Sequence, residues 1–210
     1  TGLSVSELAL GTWGLSGDGY GPIVEAEADR VIDRALALGI TLFDTADVYG
    51  EGAMERKLGE RLPAATTYVC TKIGTNRGLK PPRKIFTPDY LREALDRSRE
   101  RLKRDKVDIV LLHNPTVSAI EAGEAIGFLK TLKTLGQIGA WGVSAGSADV
   151  VRAAVARGAE VVELVYNAFI AKDLHELAGE ISSHDTAVFA RSVLAHGLLT
   201  GHWTAEREFE

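Results

Sequence analysis

With a single cysteine, Cys70, the chain has no partner for an intrachain disulfide and no material for a Cys-rich metal site, which fits a reducing compartment. Positive charge is not in excess: 24 lysines and arginines face 29 aspartates and glutamates, for a formal net charge of −5, and the two signs are interleaved. That removes the electrostatic case for nucleic acid or a membrane surface and leaves a small molecule as the simplest partner. No apolar stretch approaches the ~20 residues of a membrane-spanning helix. The opening "TGLSVSELALGTWG" also lacks the basic start and apolar run of a signal peptide. A cytoplasmic location is therefore expected, and the start on Thr1 suggests that the natural N-terminus lies further upstream. His175, His184, His196 and His202 have no metal-ligand spacing and no cysteine or acid pattern beside them, so no metal is expected. Internal repeats and low-complexity tracts are absent.

What is present reads as one globular domain: 210 residues, 45% hydrophobic and 25% charged, with no long linker. Short apolar runs alternate with stretches of helical spacing, the pattern of a parallel α/β fold. Strands are expected over 6–13, 40–44, 67–72, 107–113, 139–144, 160–167 and 187–192, and helices over 25–39, 53–62, 87–104, 121–136, 147–158 and 172–183. Gly39, Gly136 and Gly158 fall where left-handed C-terminal residues belong, and Thr87-Pro88 and Ser147 where helices begin. No G-x-G-x-x-G opens a helix after the first strand, so a (β/α)8 TIM barrel is favoured over an open doubly wound sheet. At 210 residues the chain is short for that barrel, typically ~250 residues. The eighth strand and helix and the C-terminal tail are not in it, and an incomplete C-terminus is favoured over an open barrel, which would leave two unpaired edges.

Three expected strands end in ionisable groups that packing does not call for: Asp44 after "ITLF", Lys72 after "TYVCT" and His113 after "VDIVLL". The C-terminal ends of barrel strands converge on one face, where active sites sit, so these groups and the nearby Tyr49 are expected to share a pocket. Each alone has an ordinary reading: a turn-forming Asp, a solvated Lys tip, a core-edge His, a packing Tyr. Asp47 is expected to fill the ordinary Asp role, as an Asx turn or helix N-cap. Their joint occurrence favours one pocket, with chemistry that follows. Lys72 is expected to lower the pKa of the Tyr49 phenol, Asp44 to hold Lys72 by an ion pair, and His113 to orient a carbonyl oxygen. A carbonyl accepting a hydride is protonated in such a pocket, and the hydride comes from a cofactor because no side chain supplies one.

The segments "LALGTWG", "GITLFDTADVYGEGAMERKLGE", "VCTKIG", "DIVLLHNP", "IGAWGVS" and "VLAHGLLTG" resemble, in order and spacing, the aldo-keto reductase family, over nearly the whole chain from Leu8 to His202. The resemblance implies a (β/α)8 barrel, bound NADP(H) or less often NAD(H), and reversible reduction of a small-molecule carbonyl to an alcohol. It places the family's tetrad on Asp44, Tyr49, Lys72 and His113, with Tyr49 as general acid. It implies cofactor contacts at Thr12, Trp13 and Asp44 near the nicotinamide and its ribose, and at Ser144 near the carboxamide. Glu163 stands where glutamine is usual, Arg191 where many members place an aromatic, and Ala145 where an asparagine often follows the serine. In "RSVLAHGLLTGHW", Ser192, Leu194 and Gly197 match backbone-contact positions of the phosphate-side loop; the alternative is an ordinary strand-to-helix connection.

Two rivals to a carbonyl reductase remain at this stage. Ala145, Glu163 and Arg191 keep open a nicotinamide-cofactor-binding regulatory or scaffold barrel with little turnover, and a metal-dependent barrel hydrolase is the weaker third reading. The glycine-rich "GLSGDGYGPIVEAE" after the first strand is expected to be mobile and to bear on specificity. Trp141 is expected to pack within the barrel, and "REALDRSRERLKRDK" to be a solvated helix face rather than a nucleic-acid patch.

Overall fold

The computed structural model describes residues 2–204. Its strands are β1 (Ala9–Gly11), β2 (Leu42–Asp44), β3 (Tyr68–Ile73), a short hairpin of β4 (Thr75–Asn76) and β5 (Arg83–Lys84), then β6 (Val107–His113), β7 (Ile138–Ser144), β8 (Val161–Val165) and β9 (Ala187–Arg191). Apart from the antiparallel hairpin they form one sheet in chain order, β1-β2-β3-β6-β7-β8-β9. Every neighbouring pair in that sheet is parallel. Helices fill the connections: α1 (Glu25–Ala37), α2 (Ala53–Arg61), α3 (Pro88–Leu102), α4 (Val117–Glu121), α5 (Glu124–Thr134), α6 (Ala148–Ala156) and α7 (Lys172–Ser183). Parallel strands in sequential order with helices between them are the (β/α) barrel layout. Among the described residues the sheet has seven strands, with β1 and β9 at its edges. None of the described helices is long and apolar enough to cross a membrane.

Residue alternation divides the core into two layers. Leu42, Cys70, Ile109, Leu111, Ala140 and Val161 cluster on the inner face of the sheet, with Ala187 and Phe189 packed against them. Their sequence neighbours Phe43, Val69, Val110, Leu112, Trp141 and Val162 join the larger layer under the helices. Each fully buried Leu, Val or Phe there contributes about 1.5–3 kcal/mol. Trp141 packs as expected of a barrel residue, in the layer between the sheet and the helices, beneath the Lys130 ammonium at 5.7 Å. At Gly142, in β7 between β6 and β8, a Cβ would lie 1.7 Å from the Val161 carbonyl oxygen, so only glycine fits.

Helix boundaries show which local signals prevail. Gly39, Gly136 and Gly158 do adopt left-handed φ of +79°, +71° and +82° just past α1, α5 and α6. Thr87 and Ser147 occupy the N-cap positions of α3 and α6, but neither hydroxyl makes a capping bond; Pro88 sets the entry of α3. The helix expected over 121–136 is found as α5, and Gly123, φ +82°, separates it from α4, a short helix not expected from the sequence. The break is stabilised from a distance, because Arg157 donates to the last carbonyls of α4, Ile120 O at 3.3 Å and Glu121 O at 3.0 Å.

β1 and β8 are the strands most shortened from their expected spans. Before β1, Ser6 exchanges side-chain bonds with Thr41 (Ser6 N to Thr41 Oγ1, 2.8 Å; Thr41 N to Ser6 Oγ, 2.9 Å), and after it Trp13 turns into a 3₁₀ segment. β8 ends before Asn167, whose Oδ1 accepts from the Phe169 and Ile170 amides and bends the chain. On α3 the expected mixed-sign pairs form, Arg97–Glu93 and Arg99–Asp96, at the surface where each is worth little.

Candidate active site

The alternation that lines the interior also aims the ionisable groups. Asp44 shares the face of Leu42, Lys72 that of Cys70, and His113 that of Ile109 and Leu111. Ser144 likewise follows Ala140, Glu163 follows Val161, and Arg191 follows Ala187 and Phe189. Register places them side by side: Gly11 opposite Asp44, His113 opposite Ser144, and Ser144 opposite Glu163. The C-terminal ends of six strands thus present one inward layer of polar groups above an apolar plug. A separate apolar groove of about 570 Å³ runs between β1 and α1, lined by Leu10, Ile23, Val31 and Leu38, and includes none of these groups.

Lys72 is at the centre. Its side chain is 1% exposed and donates to Asp44 Oδ1 at 2.5 Å and to the Thr45 carbonyl at 3.1 Å; Glu163 Oε2 stands 3.5 Å away. Burial would strip a proton from such a lysine, but the Asp44 and Glu163 carboxylates more than reverse this and hold it charged, its pKa well above the usual lysine value. Tyr49 begins a 3₁₀ turn after β2. Its ring centroid lies 5.4 Å from Lys72 Nζ and 6.1 Å from the His113 ring, edge to face at 84°. His113 Nδ1 is buried without a hydrogen-bond partner. Burial, reinforced by the fields of Lys84, Lys72, Arg191 and Arg77, pushes the imidazole down to about 2, so His113 is neutral. Asp44, 18% exposed, is pushed up to about 6 by burial and by the neighbouring Glu163, against the pull of Lys72.

One expectation is reversed. Lys72 does pull the Tyr49 phenol down, but burial outweighs it, and Asp44 and Glu163 add to the rise, so the phenol is pushed up to about 12. The physical reason is burial first: the phenolate loses more by leaving water than the Lys72 ammonium returns, and the Asp44 and Glu163 carboxylates offset part of that pull.

Asp47 does not take the turn-capping role expected of it. Val48 is the N-cap of the following turn, and Asp47 Oδ1 is buried without a hydrogen bond. Burial and the adjacent Glu55 push its carboxyl up to about 7, opposed by Arg101, Arg97 and Lys84. The folded chain therefore holds this proton up to about pH 7, whereas the unfolded chain releases it in the ordinary carboxylate range. Stability from this group is present at low pH and is lost as pH rises through 7. Asp47→Asn should match the parent's Tm near pH 4.5 and exceed it by roughly 5 °C near pH 8.5. Equal Tm differences at the two pH values would show that the carboxyl carries no such burden.

The other expected cofactor positions are distributed as follows. Thr12 is fully buried and donates from both its amide and hydroxyl to the Asp44 carbonyl, at 2.9 and 3.0 Å. Trp13 packs edge-on against Tyr20, 5.4 Å between centroids, and His196, 6.1 Å. Arg191 donates to the Ala145 carbonyl at 3.1 Å, while its Nε is buried without a partner. Ser192 leaves β9 with φ +56°, its carbonyl accepting from Asn167 Nδ2 at 3.0 Å. Leu194 is exposed, with its carbonyl accepting the Gly197 amide at 2.9 Å, and Gly197 has φ +98°. Ser192, Leu194 and Gly197 lie on the loop beyond the strand ends, outside the inward layer.

Three features went unseen in the sequence. Glu163 contacts Lys72, a link signalled only by its sharing the face of Val161. Asp18 Oδ2 accepts both the Gly50 amide at 2.9 Å and Arg77 Nη1 at 3.1 Å, so the glycine-rich loop expected to be mobile is tied to the turn that carries Tyr49. Fully buried Glu55 is held by Thr71 Oγ1 at 2.6 Å and Arg101 Nη1 at 3.1 Å, fastening α2 behind that turn.

Comparison with known proteins agrees with this fold. The model of the aldo/keto reductase family matches residues 7–210, and the chain belongs to that family. L-Galactose dehydrogenase of Arabidopsis thaliana is 32% identical over 213 residues, covering 95% of this chain and 65% of that protein. The 6-dehydroglucose reductase of Novosphingobium aromaticivorans is 35% identical over 161 residues, covering 73% and 52%. Among solved structures, the holo form of an aldo-keto reductase from Bacillus halodurans superposes with a TM-score of 0.87 at 28% identity, over 99% of this chain and 69% of that one. The chain thus spans about half to two thirds of the length of these curated relatives.

Proposed function

We propose that this chain carries the active site of an NAD(P)-dependent carbonyl reductase, in which an aldehyde or ketone becomes an alcohol and Tyr49 delivers the proton. The observation that supports it is the convergence of Asp44, Lys72 and His113 at the ends of β2, β3 and β6, with the Tyr49 ring against both Lys72 and His113. A nicotinamide cofactor suits the residues present, because Glu163 Oε2 and Arg191 Nε are buried polar atoms without hydrogen bonds on the same inward layer as Ser144. In this reading Thr12, Trp13, Asp44, Ser144, Glu163 and Arg191 hold its nicotinamide end. Ser192, Leu194 and Gly197 hold the phosphate side, and NADP(H) is preferred to NAD(H). When bound, it supplies the hydride that no side chain can.

The chain's own groups do the rest. Tyr49, pushed up to about 12, keeps its proton through the neutral range and gives it to the carbonyl oxygen as negative charge develops there, an alkoxide being the stronger base. Neutral His113 orients that oxygen by a hydrogen bond, and Lys72 lowers the energy of the phenolate that is left. The sugar chemistry in the names of two relatives places sugar aldehydes and ketones in the first substrate panel.

The test is a titration of the chain with NADPH and, separately, NADH, followed through tryptophan emission, which Trp13 should report, and then cofactor oxidation with the carbonyl panel. Saturable quenching with turnover is the expected result. Quenching without turnover on any carbonyl would instead favour the scaffold reading, and neither quenching nor turnover would overturn both.

A further inference from the structure

An ammonium has three N–H donors, and Lys72 must divide them among four oxygens: Asp44 Oδ1 at 2.5 Å, the Thr45 carbonyl at 3.1 Å, Glu163 Oε2 at 3.5 Å and the Tyr49 phenol, to which it also bonds. Two carboxylates from β2 and β8 therefore share one cation from β3. The Glu163 side chain is 4% exposed, and its Oε2 has no hydrogen bond. Few other charges reach this group. On β3 itself Cys70 is buried and held neutral, its thiol raised well above the ordinary value by burial and by Asp44. On β6 His113 is neutral, and β7 contributes only the Ser144 hydroxyl. On β9 Arg191 is turned to the Ala145 carbonyl. On the hairpin side Arg77 is engaged by Asp18 and Lys84 by the Thr75 hydroxyl.

We propose that Glu163 is a positioning residue: by competing with Asp44 for the single Lys72 ammonium, it withholds that charge from Tyr49 and biases the site toward giving a proton over taking one. The inference rests on the reading of the site as a carbonyl reductase. In the reductive direction a protonated Tyr49 is what is needed. In the oxidative direction the alcohol's O–H and C–H bonds break together, the proton going to the Tyr49 phenolate and the hydride to an oxidised nicotinamide. That direction requires the phenolate, which a site with two carboxylates on one ammonium disfavours. Glu163 is therefore a brake on alcohol oxidation at neutral pH, and a glutamine of the same shape would release it.

Two measurements on the parent and the Glu163→Gln protein decide the matter. The first is a ¹³C NMR titration of side-chain carboxyls, with Asp44 assigned through Asp44→Asn. If Glu163 shares Lys72, Asp44 titrates near neutrality in the parent, and its midpoint falls by at least about one pH unit in Glu163→Gln. An unchanged midpoint overturns the sharing. The second is the pH dependence of kcat/KM for alcohol oxidation. Its alkaline rise should move at least about one unit lower in Glu163→Gln, about tenfold faster oxidation at a pH on the slope. A variant that merely disturbs packing would lower the whole profile without moving it, and that result also overturns the proposal. A parent inactive in both directions would refute the reductase reading, while the NMR titration would still decide whether Glu163 shares the ammonium.

Discussion

Tyr49→Phe is expected to lower carbonyl reduction by about 10²- to 10⁴-fold while leaving cofactor affinity within a few-fold of the parent. The substitution removes only the phenolic oxygen and its proton. The ring stays where Lys72, 5.4 Å from its centroid, and His113, edge-on at 6.1 Å, hold it, so the fold and the rest of the inward layer are kept. Single-turnover reduction at saturating cofactor separates the chemical step from binding. A Tyr49→Phe protein that reduced its carbonyl at the parent rate would show that the proton comes from elsewhere, His113 or water being the remaining donors within the site.

Lys72→Met should have the second large effect, and on two observables. Reduction falls because nothing remains to stabilise the phenolate that Tyr49 becomes. Stability falls as well, because the side chain is 1% exposed and its loss leaves Asp44 and Glu163 facing one another without a cation. Removing one member of a buried ion pair typically costs about 3–5 kcal/mol. The pH dependence has a definite sign. Without the opposing pull of Lys72 the buried Asp44 carboxyl, already pushed up to about 6, holds its proton to still higher pH in the folded state than in the unfolded state, so folded protein binds more protons, and stability drops as pH rises. Urea melts near pH 5.5 and pH 8 should therefore show the larger deficit at the higher pH. A deficit of equal size at both would mean that the two carboxylates are not held by Lys72, and an unchanged pH–rate profile for the variant would count against its pairing with Tyr49.

The alternation in "LFD", "VCTK", "IVLLH" and "AWGVS" is enough to place Asp44, Lys72, His113 and Ser144 on the inward face, because strand residues two apart share a side. That is local information, and all seven barrel strands are found where it predicts, with ends shifted by up to three residues. The same reasoning stops where distant segments intervene. Nothing near Gly123 announces that Arg157 will cap the carbonyls of α4, so that short helix is not expected from the sequence. Nothing near Asp18 shows that it will accept the amide beside Tyr49.

What the sequence determined by itself was therefore the order of the strands, the identity of the groups at their ends and the pocket they share, since all three follow from short-range periodicity. Only the tertiary structure decided how those groups ionise. A pKa depends on burial and on every charge within a few ångströms, and at Tyr49 burial, with Asp44 and Glu163 adding to it, outweighs the pull of Lys72, turning a phenol expected to be more acidic than free tyrosine into one that holds its proton to about 12.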